Sequence, residues 1–201
     1  MARRKTFERS IIRQRNRIEK RGQVLAFNAI KKQYKAVFDL VGIYNNDQLL
    51  NAIDMVVTKA PITELFLNYY PMFSELGVMY RNNAFSQKAT EDQRWDNLFS
   101  DQLRQYSLTE AEYRVLSINN TSQDFIRAAV KNTIRDASDA GYGVEKTQRL
   151  IRRALEDSLG DIGVSRSRTI AQTEMITASN QASQYGIEST GLEYRKFWST
   201  S

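Results

Sequence analysis

Residues 164–198 read VSRSRTIAQTEMITASNQASQYGIESTGLEYRKFW, and the fold turns on this stretch. Ser165 predicts an N-cap, and the helix it opens runs about 24 residues before Gly191 ends it. Ala171, Met175, Ala178, Ala182 and Tyr185 recur at alternating spacings of four and three. They make one narrow stripe of mostly small side chains, where another helix can come close. The stripe reads as an assembly surface. The other flank carries Thr173, Thr177, Asn180, Gln181 and Gln184, uncharged groups that form hydrogen bonds. Arg168 and Glu174 stand six residues apart, about 600° of helical rotation, so they point to different sides and each needs a partner elsewhere. For Glu174 the simplest expectation is a buried or interfacial arginine, which keeps both charges hydrogen-bonded.

Working outward, the same stretch resembles the minor head protein family of tailed bacteriophages, the group that includes protein F of phage Mu. The likeness sits in Arg166 and Arg168, then Thr169, Ile170, Ala171, Thr173 and Glu174, then Ala178, Asn180, Gly191, Lys196 and Trp198. The preceding GYGVEKTQRLIRRALED, residues 141–157, agrees more loosely with the helix before the family motif. Gln172 stands where the family has an arginine, and the chain stops at Ser201 where members continue into a segment with Asp, Arg and His. The resemblance therefore implies a truncated form or a short member, with Arg166, Arg168, Glu174, Asn180, Lys196 and Trp198 as structural motif residues. It also implies a structural minor head protein inside the capsid near the portal vertex, acting in head morphogenesis, DNA packaging or ejection. The partners implied are the portal protein, the major capsid protein and packaged DNA, with several copies in the virion.

Composition narrows the chemistry independently. Two hundred and one residues suit one domain, or one domain with an arm, and contain neither cysteine nor histidine. That removes disulfides, thiolate and imidazole metal sites, and Ser-His-Asp or Cys-His catalysis. No phosphate-cradling glycine loop, metal-ligand cluster or nucleophile elbow appears, and the acids Asp54, Glu64, Asp92, Asp96, Glu156, Asp157 and Asp161 are scattered. The expectation is no enzyme, no metal and no cofactor. No apolar run approaches the roughly 20 residues that span a bilayer, and the opening MARRKTFERS lacks the apolar stretch of a secretory signal. A cytosol-like compartment and no membrane contact follow as expectations.

Charge divides the chain. The first 35 residues hold twelve Lys or Arg against Glu8 and Glu19, or +10, so the other 166 sum to −4 within the total of +6. Residues 1–23 carry Arg3, Arg4, Lys5, Arg9, Arg13, Arg15, Arg17, Lys20 and Arg21. Their only large apolar residues, Phe7, Ile11, Ile12 and Ile18, look too few to anchor a buried helix. This predicts a basic arm, an exposed helix or a disordered segment, ahead of a helical domain over residues 24–201. The arm is either a solvated terminus or a contact for phosphates or the portal, without sequence preference, since its charges run all round the helix. A nucleic-acid-binding module that uses this arm is the rival function.

The rest reads as helices. Phe27, Ile30, Tyr34, Val37, Phe38 and Val41 form the first core stripe, and Asn46 or Asp47 caps a second helix through Ala60. Pro61 opens another, which Pro71 should kink or split. Phe66, Tyr69, Tyr70 and Phe73 lie at helical spacing and read as core. Residues 88–94 read as a loop or frayed helix start, followed by a short helix on Trp95, Leu98, Phe99 and Leu103. Ser107 with Glu110, and Thr121 with Asp124, look like capping boxes that start two further helices. Glycines at 141 and 143 stop one, residues 160–163 read as a turn, and residues 192–198 alternate as a strand needing a partner for its edges. The predicted fold is mainly α, a multi-helix bundle with an extended basic N-terminal helix or arm and a short C-terminal β-strand.

Overall fold

Ala2–Phe38 forms one unbroken helix, α1, because nothing in that run caps or breaks a helix except Gly22. A glycine is needed there for packing, since a Cβ at residue 22 would lie 2.3 Å from the Tyr69 ring. The computed structural model describes residues 2–85 and 92–191. Among them seven more helices follow: α2 (Asn46–Val56), α3 (Ala60–Tyr69), α4 (Ser74–Phe85), α5 (Asp92–Thr109), α6 (Glu112–Asp139), α7 (Val144–Ser158) and α8 (Val164–Glu188). The chain is a mainly helical bundle, and none of these helices is long and apolar enough to cross a membrane. The expected C-terminal strand lies outside the described residues, as do residues 86–91.

The N-terminal run is not an unburied helix, which corrects the expectation from its sparse apolar content. Ile11 and Ile18 are 6% and 2% exposed, and the Phe7 ring meets Tyr80 edge-on at 5.5 Å. Seven-residue spacing keeps the two isoleucines on one face, and Gly22, Ala26 and Ala29 continue that face with side chains small enough to admit neighbouring helices. The helix passes residue 23 without a break.

The middle of the chain follows its prolines. Pro61 sits in the first turn of α3, where its missing N–H costs nothing. Pro71 breaks the next run into α3, a 3₁₀ turn (Tyr70–Phe73) and α4. Phe66, Tyr69, Tyr70 and Phe73 are all buried there, as core. Several expected helix starts are corrected. The second helix is capped by Asn45, whose side chain accepts from Gln48 N while Gln48 reaches back, and it ends at Val56. Ser107 lies inside α5 and donates to Arg104 O, and Thr121 lies inside α6 and donates to Ser117 O. Each hydroxyl bonds back to the preceding turn, the alternative open to Ser and Thr within a helix.

The expected turn over residues 160–163 is a wide helical turn, Leu159–Gly163, and Ser165 is not a cap: α7 runs through this π segment into α8. At its far end α8 stops at Glu188, and Gly191 adopts φ +65°, the left-handed conformation that glycine takes at low cost. The helix packs chiefly against α1 and α4. Its stripe of small residues is therefore spent inside the molecule, which corrects the reading of it as an assembly surface: Ala171, Ala178 and Ala182 are buried. At the crossing with α4 a Cβ on Gly186 would fall 2.2 Å from Gly77 O, and one on Gly77 would fall 3.0 Å from Ala182 O.

Gly186→Ala should therefore cost about 3 kcal/mol, the upper range for forcing a methyl into a closed contact. Gly160→Ala, with open space around its Cβ, should stabilise by up to about 1 kcal/mol. Urea unfolding of the two variants measures both; equal midpoints would disprove the close crossing.

Candidate functional site

Three elements converge on Glu174. The 3₁₀ turn supplies Tyr70, α6 supplies Arg114, and α8 supplies the carboxylate, which is 3% exposed. Tyr70 Oη donates to Glu174 Oε2 at 2.5 Å, and Arg114 Nε donates to the same oxygen at 3.1 Å. Arg114 Nη2 closes the triangle by donating to Tyr70 Oη at 2.7 Å. Burial pushes the Glu174 carboxyl above the ordinary carboxylate range, while the Tyr70 hydroxyl and the Arg114 charge pull it back. Burial, with the adjacent carboxylate, pushes the Tyr70 phenol well up. For Arg114 burial favours loss of the proton, but Glu174 and the neighbouring tyrosines outweigh it and the guanidinium is held more firmly charged.

Arg166 makes a second tie in the opposite direction. From α8 it donates to Ser122 Oγ at 3.0 Å and Ile118 O at 3.1 Å on α6, and its guanidinium lies 5.3 Å over the Phe125 ring. Burial lowers its pKa, with Tyr34 opposing; an arginine nevertheless stays charged at neutral pH. Among the described residues no carboxylate pairs with it. No Cα of α6 comes within 8 Å of a Cα of α8, so these two arginines span a gap the backbones leave open. A third polar tie joins α1 to α6: Gln33 Nε2 donates to Asn119 Oδ1 at 2.8 Å and to Thr58 O at 3.0 Å.

The other motif residues do not join this centre. Arg168 and Asn180 are exposed on α8, about 120° apart around it and each about 120° from Glu174, and Arg168 has no salt-bridge partner among the described residues. Lys196 and Trp198 lie outside the described residues. The residues that complete the centre, Arg114, Tyr70 and Ser122, were missed in the sequence. Nothing in the local spacing of Arg114 or Ser122 ties either to a residue that follows some 44 to 60 positions later.

The basic residues of the N-terminal run form a separate feature. Arg9, Arg13, Arg17, Lys20 and Arg21 are exposed along α1 and Arg15 is half-buried, while the side chains of Arg3, Arg4 and Lys5 lie outside the described residues. Lys31, Lys32 and Lys35 extend the exposed series; Lys32 pairs with Glu64 at 2.6 Å and Lys35 with Asp39 at 2.8 Å. A cleft of about 630 Å³ beside α1 is lined by Arg13 and Arg17 and by Glu75 and Asp96. Both acids are engaged, Glu75 by Gln14 and Asp96 by Ser74 Oγ at 2.6 Å. Among the described residues no three acids gather closely enough to hold a metal ion.

No known protein-family model, curated protein or solved structure matches the chain.

Glu174→Ala leaves Arg114 facing a hole and should cost about 3 kcal/mol. Because the folded-state pKa of Glu174 is raised, its contribution to stability is largest below the ordinary carboxylate value and is lost as pH rises through the folded value. The unfolding free energy of the natural protein relative to Glu174→Gln should therefore shift in favour of the natural protein as pH falls from neutral. Denaturant titrations across that range test the sign, and a shift the other way refutes it.

Proposed function

We propose that the protein is a structural component of a tailed-phage head, a minor head protein that works near the portal by holding partners together. It performs no turnover in this reading. Its partners are the portal protein, the major capsid protein and packaged DNA, and several copies serve in head morphogenesis, DNA packaging or ejection. The observation that carries the proposal is the use made of the motif that resembles this family. Glu174, the one acid in that motif, is closed off by Tyr70 and Arg114, and Arg166 by Ser122 and Ile118. A carboxylate with one oxygen taken by two neighbouring donors and 3% exposed supports packing and does not reach a substrate.

In this reading the motif is a brace that fixes the bundle, and Arg168 and Asn180, left exposed on α8, are its means of contacting other proteins. Purified particles of the phage that encodes the chain should contain it, by mass spectrometry, in more than one copy. Arg168→Ala should leave the unfolding free energy within about 0.5 kcal/mol of the natural protein, as for an exposed side chain, and reduce its incorporation. Particles that lack the protein altogether would end the proposal.

A further inference from the structure

The helix α1 presents two environments. One face gives Ile11, Ile18, Ala26 and Ile30 to the core. The other carries Arg9, Arg13, Arg17, Lys20, Arg21 and Lys31, all exposed and none in a salt bridge among the described residues. At 100° per residue these six fall within an arc of about 120°, and from Arg9 to Lys31 they extend about 33 Å along the axis. Among the described residues, the exposed cations of α1 without a salt-bridge partner therefore share one side of the helix. Arg15, which falls outside this arc, is half-buried.

We propose that this row is a binding surface for the sugar–phosphate backbone of duplex DNA. Its length is about one turn of the duplex, which carries one phosphate per roughly 1.7 Å of axis, so a straight row can meet several phosphates at once. Six unpaired cations are held side by side against their mutual repulsion, and a polyanion relieves that repulsion with release of its condensed counterions. The two acids in the adjoining cleft, Glu75 and Asp96, are already hydrogen-bonded to Gln14 and Ser74 and leave Arg13 and Arg17 open. The remaining chain is net negative, −4 outside the first 35 residues, so the molecule presents this side to DNA. Lipid is disfavoured as the occupant. An interfacial helix sinks its apolar face into the bilayer, whereas the apolar face of α1 is inside the protein and its exposed large apolar residues are only Ile12 and Val24. An acidic protein is disfavoured because the row has no aromatic anchor for an interface core. Contacts to phosphates fix position and carry no base information, so binding is indifferent to sequence.

This inference deepens one part of the head-protein reading, the contact with DNA, and the two fail separately: failure to bind DNA leaves incorporation into particles untouched, and absence from particles leaves DNA binding untouched. The test is fluorescence anisotropy of the full chain on short duplex DNA of mixed sequence. With about four phosphates engaged, affinity should fall about 100-fold between 50 and 200 mM salt. Replacing Arg13, Arg17, Lys20 and Arg21 together by glutamine should weaken binding at least about 10-fold at the lower salt and flatten the salt dependence. The control replaces Lys131, Arg135, Arg149 and Arg153, all exposed on α6 and α7, by glutamine for the same change of net charge, and should bind nearly as the natural protein does. Circular dichroism and thermal unfolding of each variant confirm that the helix content is kept; if the fourfold variant unfolds, Arg13→Gln with Arg17→Gln alone should give an intermediate loss. Equal weakening by row and control, or equally tight row-dependent binding to polyglutamate or to phosphatidylglycerol vesicles, would overturn the proposal.

Discussion

Two glycines on different helices let two backbones touch, and that contact sets the position of everything α8 carries. A side chain on Gly186 would overlap the carbonyl of Gly77 at 2.2 Å, so α4 and α8 meet at a distance only glycine permits. With α8 seated against α4 and α1, its buried positions are determined: Ala171, Ala178 and Ala182 fill the narrow side, while Glu174 is carried below the surface. Burying a carboxylate is costly unless it is paired and hydrogen-bonded. The packing of small residues therefore creates the demand that Arg114 and Tyr70 meet.

The same seating explains how arginines come to tie α8 to α6. Where two helices cannot approach, a methyl group reaches too little, and a long side chain with several donors spans the space. Arg114 reaches from α6 to α8 and Arg166 reaches from α8 to α6, so each helix supplies a cation to the other. Neither tie is an isolated ion pair. Glu174 takes two donors on one oxygen, and Arg166 lies over Phe125 while donating to a backbone carbonyl and a hydroxyl. Tyr70, stacked against Phe66 at 5.4 Å and Tyr106 at 5.8 Å, is held in the one orientation that lets its hydroxyl donate to the acid and accept from the arginine.

Much of this was written in local spacing. The aromatic cluster, the break at Pro71 and the left-handed glycine after α8 each depend on residues a few positions apart, and each follows from the chain alone. The wide turn at Leu159–Gly163 was also legible, although residues 160–163 read as a plain turn between two helices. Leu155 and Glu174 are both buried; nineteen residues of regular helix would set them about 100° apart, and one residue taken up by a π turn brings them into line. The phase slip between the two buried faces was the signal. What spacing does not encode is the choice of partner across the bundle. Arg114 differs from its exposed neighbours only after α6 has been placed opposite α8, and Ile11 and Ile18 look isolated until the rest of the bundle supplies the core they join.

Joining the basic run to the core changes what its charges do. A disordered arm that folds on a ligand gives up conformational freedom, about 1–2 kcal/mol for each backbone residue ordered, and this loss is subtracted from every contact it makes. In α1 that ordering has occurred during folding, offset by the burial of Ile11, Ile18 and the residues that follow them on the same face. The cations are then fixed in direction and spacing before any partner arrives, which is preorganisation in the ordinary sense. Ionic strength thereby becomes the main control on an encounter at this face, because little folding free energy remains to be exchanged there. The rigidity also limits the partner: a straight row cannot wrap, so it fits a surface whose charge recurs along a line.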